Sequence, residues 1–159
     1  GYHVVGPTDI LTELLAPEGL LTSEKIDDQA WQDIGRGIEV LTALSPADVG
    51  QAVVVQEGLV LGVEAIEGTD KLIERIAPLK RSGLGSILVK MAKRQQENRV
   101  DLPTVGLGTI QKAAESGLRG IAIEAGRTLI LNREEMIQLA QDKGIFVVGL
   151  ASTQCHPER

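Results

Sequence analysis

Between residues 90 and 106 the chain sets Lys90, Lys93, Arg94 and Arg99 near the acid Asp101, and then turns through R-V-D-L-P-T-V-G. Cations neutralise phosphoryl oxygens, and a carboxylate can hold a metal ion or a water, so this mixture suits phosphate chemistry. Arg99 and Asp101 are two apart and would share one face of an extended strand. Pro103 interrupts regular hydrogen bonding, and Gly106 relaxes the backbone just before a helix. The alternative for the same residues is a solvated basic loop with one structural aspartate.

Other polar residues fall where strands should end. Glu64 and Glu67 follow a hairpin, Lys90 and Lys93 follow a buried strand, and Glu124 ends the strand G-I-A-I-E. In sheets with helical crossovers, ligands sit beyond the carboxyl ends of strands, where loops meet helix N-termini. If these ends converge, carboxylates and cations face each other across one cleft, an arrangement suited to a hard cation such as Mg²⁺ bridging substrate phosphates. The turn Gly106-Leu107-Gly108-Thr109 lacks the ending of a P-loop and the full dinucleotide fingerprint, so it reads as an ordinary helix start. Glu67 and Asp70 suit helix capping as well as a site role; Glu64 is less committed.

The elements that must place these residues have a mixed α/β rhythm. An opening strand in Y-H-V-V-G leads to a short helix near 8 to 15, and Pro17 to Ser23 reads as a connecting loop. Ile26, Ala30, Ile34, Ile38 and Leu41 recur at helical spacing and predict a helix from about 24 to 44, with Trp31 packing against that face. The run from Asp48 to Ala65 holds two Val/Leu-rich segments separated by Gln56, Glu57 and Gly58, a hairpin pattern. Thr69 or Asp70 would cap a helix carrying Leu72, Ile73, Ile76 and Leu79 that ends near Gly83. S-I-L-V-K is then a buried strand. A helix over 109 to 116 with Gly117 as C-cap is followed by the strands G-I-A-I-E and T-L-I-L. Asn132 and Glu135 suggest a capping box for a helix through Lys143, and I-F-V-V-G-L is the last strand. The expected fold is α/β: a mixed sheet with a β-hairpin and helices packed around it, in a single compact domain over 1–150, with 151–159 a loose tail.

Composition narrows the function classes. The chain has 159 residues, 43% of them apolar, which is globular rather than disordered. Its formal net charge is -6, and Tyr2, Trp31 and Phe146 are its aromatics, so nucleic acid is not an expected partner. Cys155 is the single cysteine, which excludes an internal disulfide and suits a reducing compartment. His3 and His156 lie near the two ends, so acid-base work falls to carboxylates, lysines or metal-bound water rather than to a histidine triad. No apolar run reaches the length of a membrane span. The sequence opens without Met, which reads as the later part of a longer polypeptide.

Five ordered blocks, D-V-G-Q-A-V-V-V (48 to 55), V-E-A-I-E-G-T-D (63 to 70), L-V-K-M-A-K (88 to 93), R-V-D-L-P-T-V-G (99 to 106) and G-I-A-I-E-A-G-R-T-L (120 to 129), closely resemble one family. It is the UDP-2,3-diacylglucosamine diphosphatase of lipid A biosynthesis, the type unrelated to calcineurin-like phosphoesterases, and the likeness runs from about Val4 to Leu150 of this chain, as its C-terminal domain. The resemblance implies a Mg²⁺-dependent hydrolase of the UDP-2,3-diacylglucosamine pyrophosphate bond, giving UMP and 2,3-diacylglucosamine 1-phosphate. It places the essential aspartate on Asp101 and matches Lys90, Lys93, Arg99 and Thr104 as residues that bind phosphate oxygens, while Gln51, Glu64 and Glu124 match family positions without individual roles; joined to the strand-end reading above, the expectation is Gln51 on the substrate and Asp101, Glu64 and Glu124 on the metal. Glu67 and Asp70 also match family positions. Where the family continues K-P-x-Q-D-x-R, this chain has Arg94 for the proline and Glu97 for the aspartate. The resemblance further implies a cytoplasmic enzyme that meets the inner membrane only peripherally, an N-terminal partner domain not included here, and low activity without it. The alternatives are a noncatalytic nucleotide-sugar binding module, or a homodimerisation module pairing through the V-V-V hairpin.

Overall fold

Strands of period-two alternation, buried on both faces, build the centre of this molecule. In the computed structural model, which describes residues 7–93 and 102–157, Val53 and Val55 of β2 (Ala52–Gln56) join one apolar cluster while Ala52 and Val54 join another. The same division separates Ile87 and Val89 from Leu88 in β4 (Ser86–Lys90). Successive side chains point to opposite faces, so a strand apolar at every position needs helices on both sides.

The chain supplies them in order. After α1 (Pro7–Leu14) and β1 (Gly19–Leu20) comes α2 (Asp28–Leu44), followed by the hairpin of β2 and β3 (Leu59–Val63). Then follow α3 (Thr69–Ile76), β4, β5 (Thr104–Val105), α4 (Leu107–Glu115), β6 (Leu118–Glu124), β7 (Leu129–Ile130), α5 (Arg133–Asp142), β8 (Phe146–Leu150) and α6 (Ser152–Cys155). The main sheet has the order β1-β8-β6-β4-β2-β3. Its centre, β4, β6 and β8, is parallel and linked through α4 and α5, while β1, β2 and β3 pair antiparallel. Leu72, Ile76, Ile110 and Met136 of α3, α4 and α5 cover one face. Ala30, Ile34 and Leu41 of α2 cover the other, together with Cys155. The mixed sheet, hairpin and flanking helices are as expected. No helix among the described residues is long and apolar enough to cross a membrane.

The opening strand, Arg94, Glu97, Arg99 and Asp101 lie outside the described residues. Several other local expectations need correction. The stretch read as a loop over 17 to 23 contains β1, which closes the sheet edge against β8. Trp31 is 41% exposed; it is one residue, about 100°, away from the Ala30 stripe and so turns off the buried face. Gly68, at φ 84°, and not Thr69 or Asp70, precedes α3. Asn132 adopts a left-handed conformation and makes no side-chain cap bond, so the expected capping box is absent. T-L-I-L contributes β7, which pairs with β5 in a separate two-stranded sheet and not in the main one. Residues 152–155, expected in a loose tail, form α6 and bury Cys155. The hairpin turn is Glu57-Gly58, with φ 47° and 82°, the left-handed pair that tight two-residue hairpins require.

One close approach makes a stability prediction. A Cβ built on Gly149 would lie 1.8 Å from the Pro17 carbonyl oxygen, a backbone atom that moves only if β1 leaves the sheet edge. Gly149→Ala is expected to cost about 3 kcal/mol by overpacking, lowering the melting temperature by roughly 6–12 °C. Gly35→Ala, on α2 with no atom within 4 Å of its new methyl, is expected to stabilise by about 0.5–1 kcal/mol. Thermal denaturation of both variants checks the contrast.

Candidate functional site

The register of the sheet decides what meets at its carboxyl edge. Lys90 ends β4 and lies opposite Ala52, while Ile123, one residue before Glu124, lies beside Lys90 on the other side. Because β2 runs antiparallel, its beginning and not its end reaches this edge: the Met91 N–H donates to the Gln51 carbonyl at 2.9 Å. The hairpin then returns β3 to the same place, where the Glu64 N–H donates to the Ala52 carbonyl at 2.8 Å. Gln51, Glu64, Lys90, Lys93 and Glu124, scattered from residue 51 to residue 124, therefore gather along one rim.

Lys90 is only 8% exposed. Its Nζ donates to the Thr104 carbonyl at 3.0 Å, which brings the start of β5 and the Gly106 turn to the rim. Burial pushes the Lys90 ammonium below its ordinary pKa, with Glu64 and Asp70 partly opposing that shift. Glu64 is equally buried; one oxygen accepts the Gln51 N–H at 3.3 Å and the other accepts the Thr69 hydroxyl. Thr69, which the sequence suggested as a cap, is thus a prop for Glu64. Glu67 turns away to Arg75, at 2.6 Å, and that hydrogen bond holds its carboxyl below the usual carboxylate range. Asp70 is exposed in the first turn of α3.

Lys93 pairs with Asp48 at 2.7 Å. The Thr104 hydroxyl, expected on substrate, donates to the Leu102 carbonyl at 3.4 Å, and the Gly106 N–H donates to the Thr109 hydroxyl at 3.4 Å. A narrow recess beside the rim is lined by Thr42, Gln51, Ala92, Lys93 and His156.

Glu124 is fully buried. Its Oε2 accepts the Ala92 N–H at 3.0 Å, and its Oε1 lies 2.9 Å from His156 Nε2 and 3.5 Å from an Arg127 nitrogen. Arg127 also donates to the Lys93 carbonyl at 3.2 Å. Sequence reasoning passed over Arg127 and His156. Arg127 sits just past the strand in A-G-R-T-L, a position from which a side chain can fold back on the strand end; His156 gave no local signal. The Cys155 thiol is pushed up to about 12, chiefly by burial and then by Glu124, which leaves it protonated and a poor nucleophile.

Among the described residues no group of three or more His, Cys, Asp or Glu side chains stands close enough to hold a metal ion. Mg²⁺ is commonly bound by one or two carboxylates, completed by waters and substrate phosphates, and Glu64 at the rim fits that more modest demand. Arg99 and Asp101 lie outside the described residues.

Comparison with known proteins adds two findings. Residues 17–148 match the family model of the LpxI C-terminal domain. Over 156 aligned residues the chain is 41% identical to the UDP-2,3-diacylglucosamine pyrophosphatase LpxI of Caulobacter vibrioides, an alignment covering 94% of this chain and 56% of that protein. The chain thus spans little more than half the length of that relative.

Proposed function

The chain belongs to the LpxI C-terminal domain family, and from that premise we propose that it is the catalytic-type domain of a Mg²⁺-dependent pyrophosphatase of lipid A biosynthesis. The substrate is UDP-2,3-diacylglucosamine, and the products are UMP and 2,3-diacylglucosamine 1-phosphate. It works in the cytoplasm, at the inner-membrane surface, with an N-terminal domain making up the rest of the enzyme. The observation that carries this reading is the meeting of Lys90, Glu64 and the Ala92–Lys93 turn at the carboxyl rim of a parallel β4–β6 pair, in a chain of this family.

The reaction adds water across a P–O–P bridge. One bond to the bridging oxygen breaks, the water oxygen bonds to phosphorus, and a proton leaves the attacking water. Lys90 and Lys93 neutralise phosphoryl oxygens as the bridge oxygen takes up charge, and Arg99, Thr104 and Gln51 orient the diphosphate. The buried position of Lys90 strengthens its field, because charges in a water-poor rim are less screened. Asp101 and Glu64 would hold Mg²⁺, which supplies charge neutralisation and polarisation of the phosphoryl group. The Asp101 carboxylate would also act as the general base that takes the proton of the attacking water.

The test is Mg²⁺-dependent release of UMP from UDP-2,3-diacylglucosamine, by this chain and by a longer form carrying the N-terminal domain. Release by the longer form, exceeding that of this chain, is the expected result. No release by either form while both are folded would sink the reading. A second reading, a noncatalytic UDP-sugar binder or a module dimerising through the sheet edge, draws on Leu59 and Val60, which are 51% and 37% exposed on edge strand β3. Under that reading UDP binds, or the chain pairs, without turnover.

A further inference from the structure

Glu124 is a fully buried carboxylate at the end of a central strand, where an apolar side chain would serve folding better. Taking an ion out of water costs several kcal/mol unless close partners compensate. Here the partners come from three places. The Ala92 N–H binds one oxygen, while Arg127 and His156 face the other. Arg127 in turn grips the Lys93 carbonyl. Two consecutive residues after β4, Ala92 through its N–H and Lys93 through its carbonyl, are therefore held by side chains reaching across from the end of β6, and His156 closes the set from beyond α6.

We propose that Glu124, Arg127 and His156 form a clamp that fixes the Ala92–Lys93 backbone and so sets the place from which the Lys93 ammonium, paired with Asp48 at 2.7 Å, exchanges that carboxylate for the diphosphate, with Glu124 a positioning residue and not a metal ligand. The proposal rests on the functional reading above. Two features set Glu124 apart from Glu64. Its Oε1 is shared between two nitrogen-bearing side chains, one of them a guanidinium that would repel a bound cation. It is also completely sealed from solvent, whereas Glu64 keeps 8% of its surface open at the rim. The clamp further gives the C-terminal segment a role: His156 lies outside residues 17–148, the span of the family match, yet touches the carboxylate that holds the rim.

A double-mutant cycle between Glu124 and Lys93 tests this in the longer enzyme. Alone, Glu124→Ala is expected to lower kcat/KM about 10²-fold, the scale of a 1 Å misplacement of a catalytic group. In a Lys93→Ala background the same change should cost less than about threefold, because a residue acting through Lys93 has nothing left to aim. Glu124→Gln, which still offers an oxygen to the Ala92 N–H, should recover most of the rate. The Mg²⁺ concentration for half-maximal rate should stay within about twofold in both Glu124 variants, since neither removes a metal ligand. Equal losses in the two backgrounds, or a tenfold rise in the Mg²⁺ requirement with Glu124→Gln, would overturn the proposal. Should Glu124→Ala not fold, Arg127→Gln, whose side chain is 29% exposed, takes its place in the cycle with the same expected coupling. Should the wild-type enzyme show no turnover, the functional reading fails and the cycle is read on UDP affinity by calorimetry: coupling upholds the clamp, additive losses overturn it, and absence of UDP binding to the wild type overturns both.

Discussion

Asp101→Ala in the longer enzyme is expected to lower kcat for UMP release by at least roughly 10³-fold, at the upper part of the range for removal of a general acid or base, which is about 4 kcal/mol of transition-state stabilisation. The reason is the charge inventory of the segment. Between Lys90 and Thr104 the acids are Glu97 and Asp101 against Lys90, Lys93, Arg94 and Arg99, and Asp101 alone stands in the R-x-D-L-P-T block that marks the family. Its neighbours on both sides are tied to the rim: Ala92 to Glu124, and the Thr104 carbonyl to Lys90. Substrate KM should change little, because the cations that bind the diphosphate remain, and the loss should therefore appear in kcat. Asp101→Asn sharpens the result. The amide keeps an oxygen for a metal ion but cannot take a proton, so a defect as deep as that of alanine assigns proton transfer, whereas partial recovery with a raised Mg²⁺ requirement assigns metal binding. Steady-state kinetics with Mg²⁺ titration, together with melting curves to establish folding, measures all of this. A variant that keeps more than a tenth of wild-type kcat would remove Asp101 from the mechanism.

How much of this could be read from residues alone depends on the range of the interaction that decides each feature. The hairpin was legible because Glu57-Gly58 and its flanking valines decide it locally. So was the run S-I-L-V-K, whose apolar continuity only a doubly covered strand explains. The rim residues Glu64, Lys90 and Glu124 were legible as strand ends. What the residues did not reveal was set by competition between partners distant in sequence. Thr69 looked like a cap, but the Glu64 carboxylate offers its hydroxyl a charge-assisted bond, and Gly68 takes the cap position instead. Asn132 looked like the start of a capping box, yet its left-handed backbone turns the side chain away from that task. β1 became a strand because β8 presents an edge, with Gly19 opposite Gly149, and two residues carry no periodicity to announce it. His156 lies 32 residues from Glu124, and nothing in S-T-Q-C-H-P signals that a buried acid awaits it.

Lys90→Met is expected to reduce kcat/KM by roughly 10²- to 10³-fold, the loss typical of removing one preorganised charge stabiliser. The pH dependence separates this from damage to the fold. Burial lowers the Lys90 pKa from 10.5, so the folded protein releases this proton at a pH where the unfolded chain still holds it. Between the lowered folded value and 10.5 the unfolded state binds more protons, and the contribution of Lys90 to stability rises with pH. Activity runs the other way. A diphosphate site that needs the ammonium loses rate as pH climbs through the lowered pKa. The wild-type enzyme should therefore show an alkaline limb in kcat/KM that begins below pH 10.5, with no parallel loss of stability from this group. Lys90→Arg keeps a charge that does not titrate in this range, and should carry the limb to higher pH at a reduced rate. Lys90→Met should remain low at every pH and lose the limb altogether. A Lys90→Met enzyme with a full-height, unshifted alkaline limb would show that Lys90 only ties down the Thr104 carbonyl; a flattened profile would show that its charge acts on the substrate.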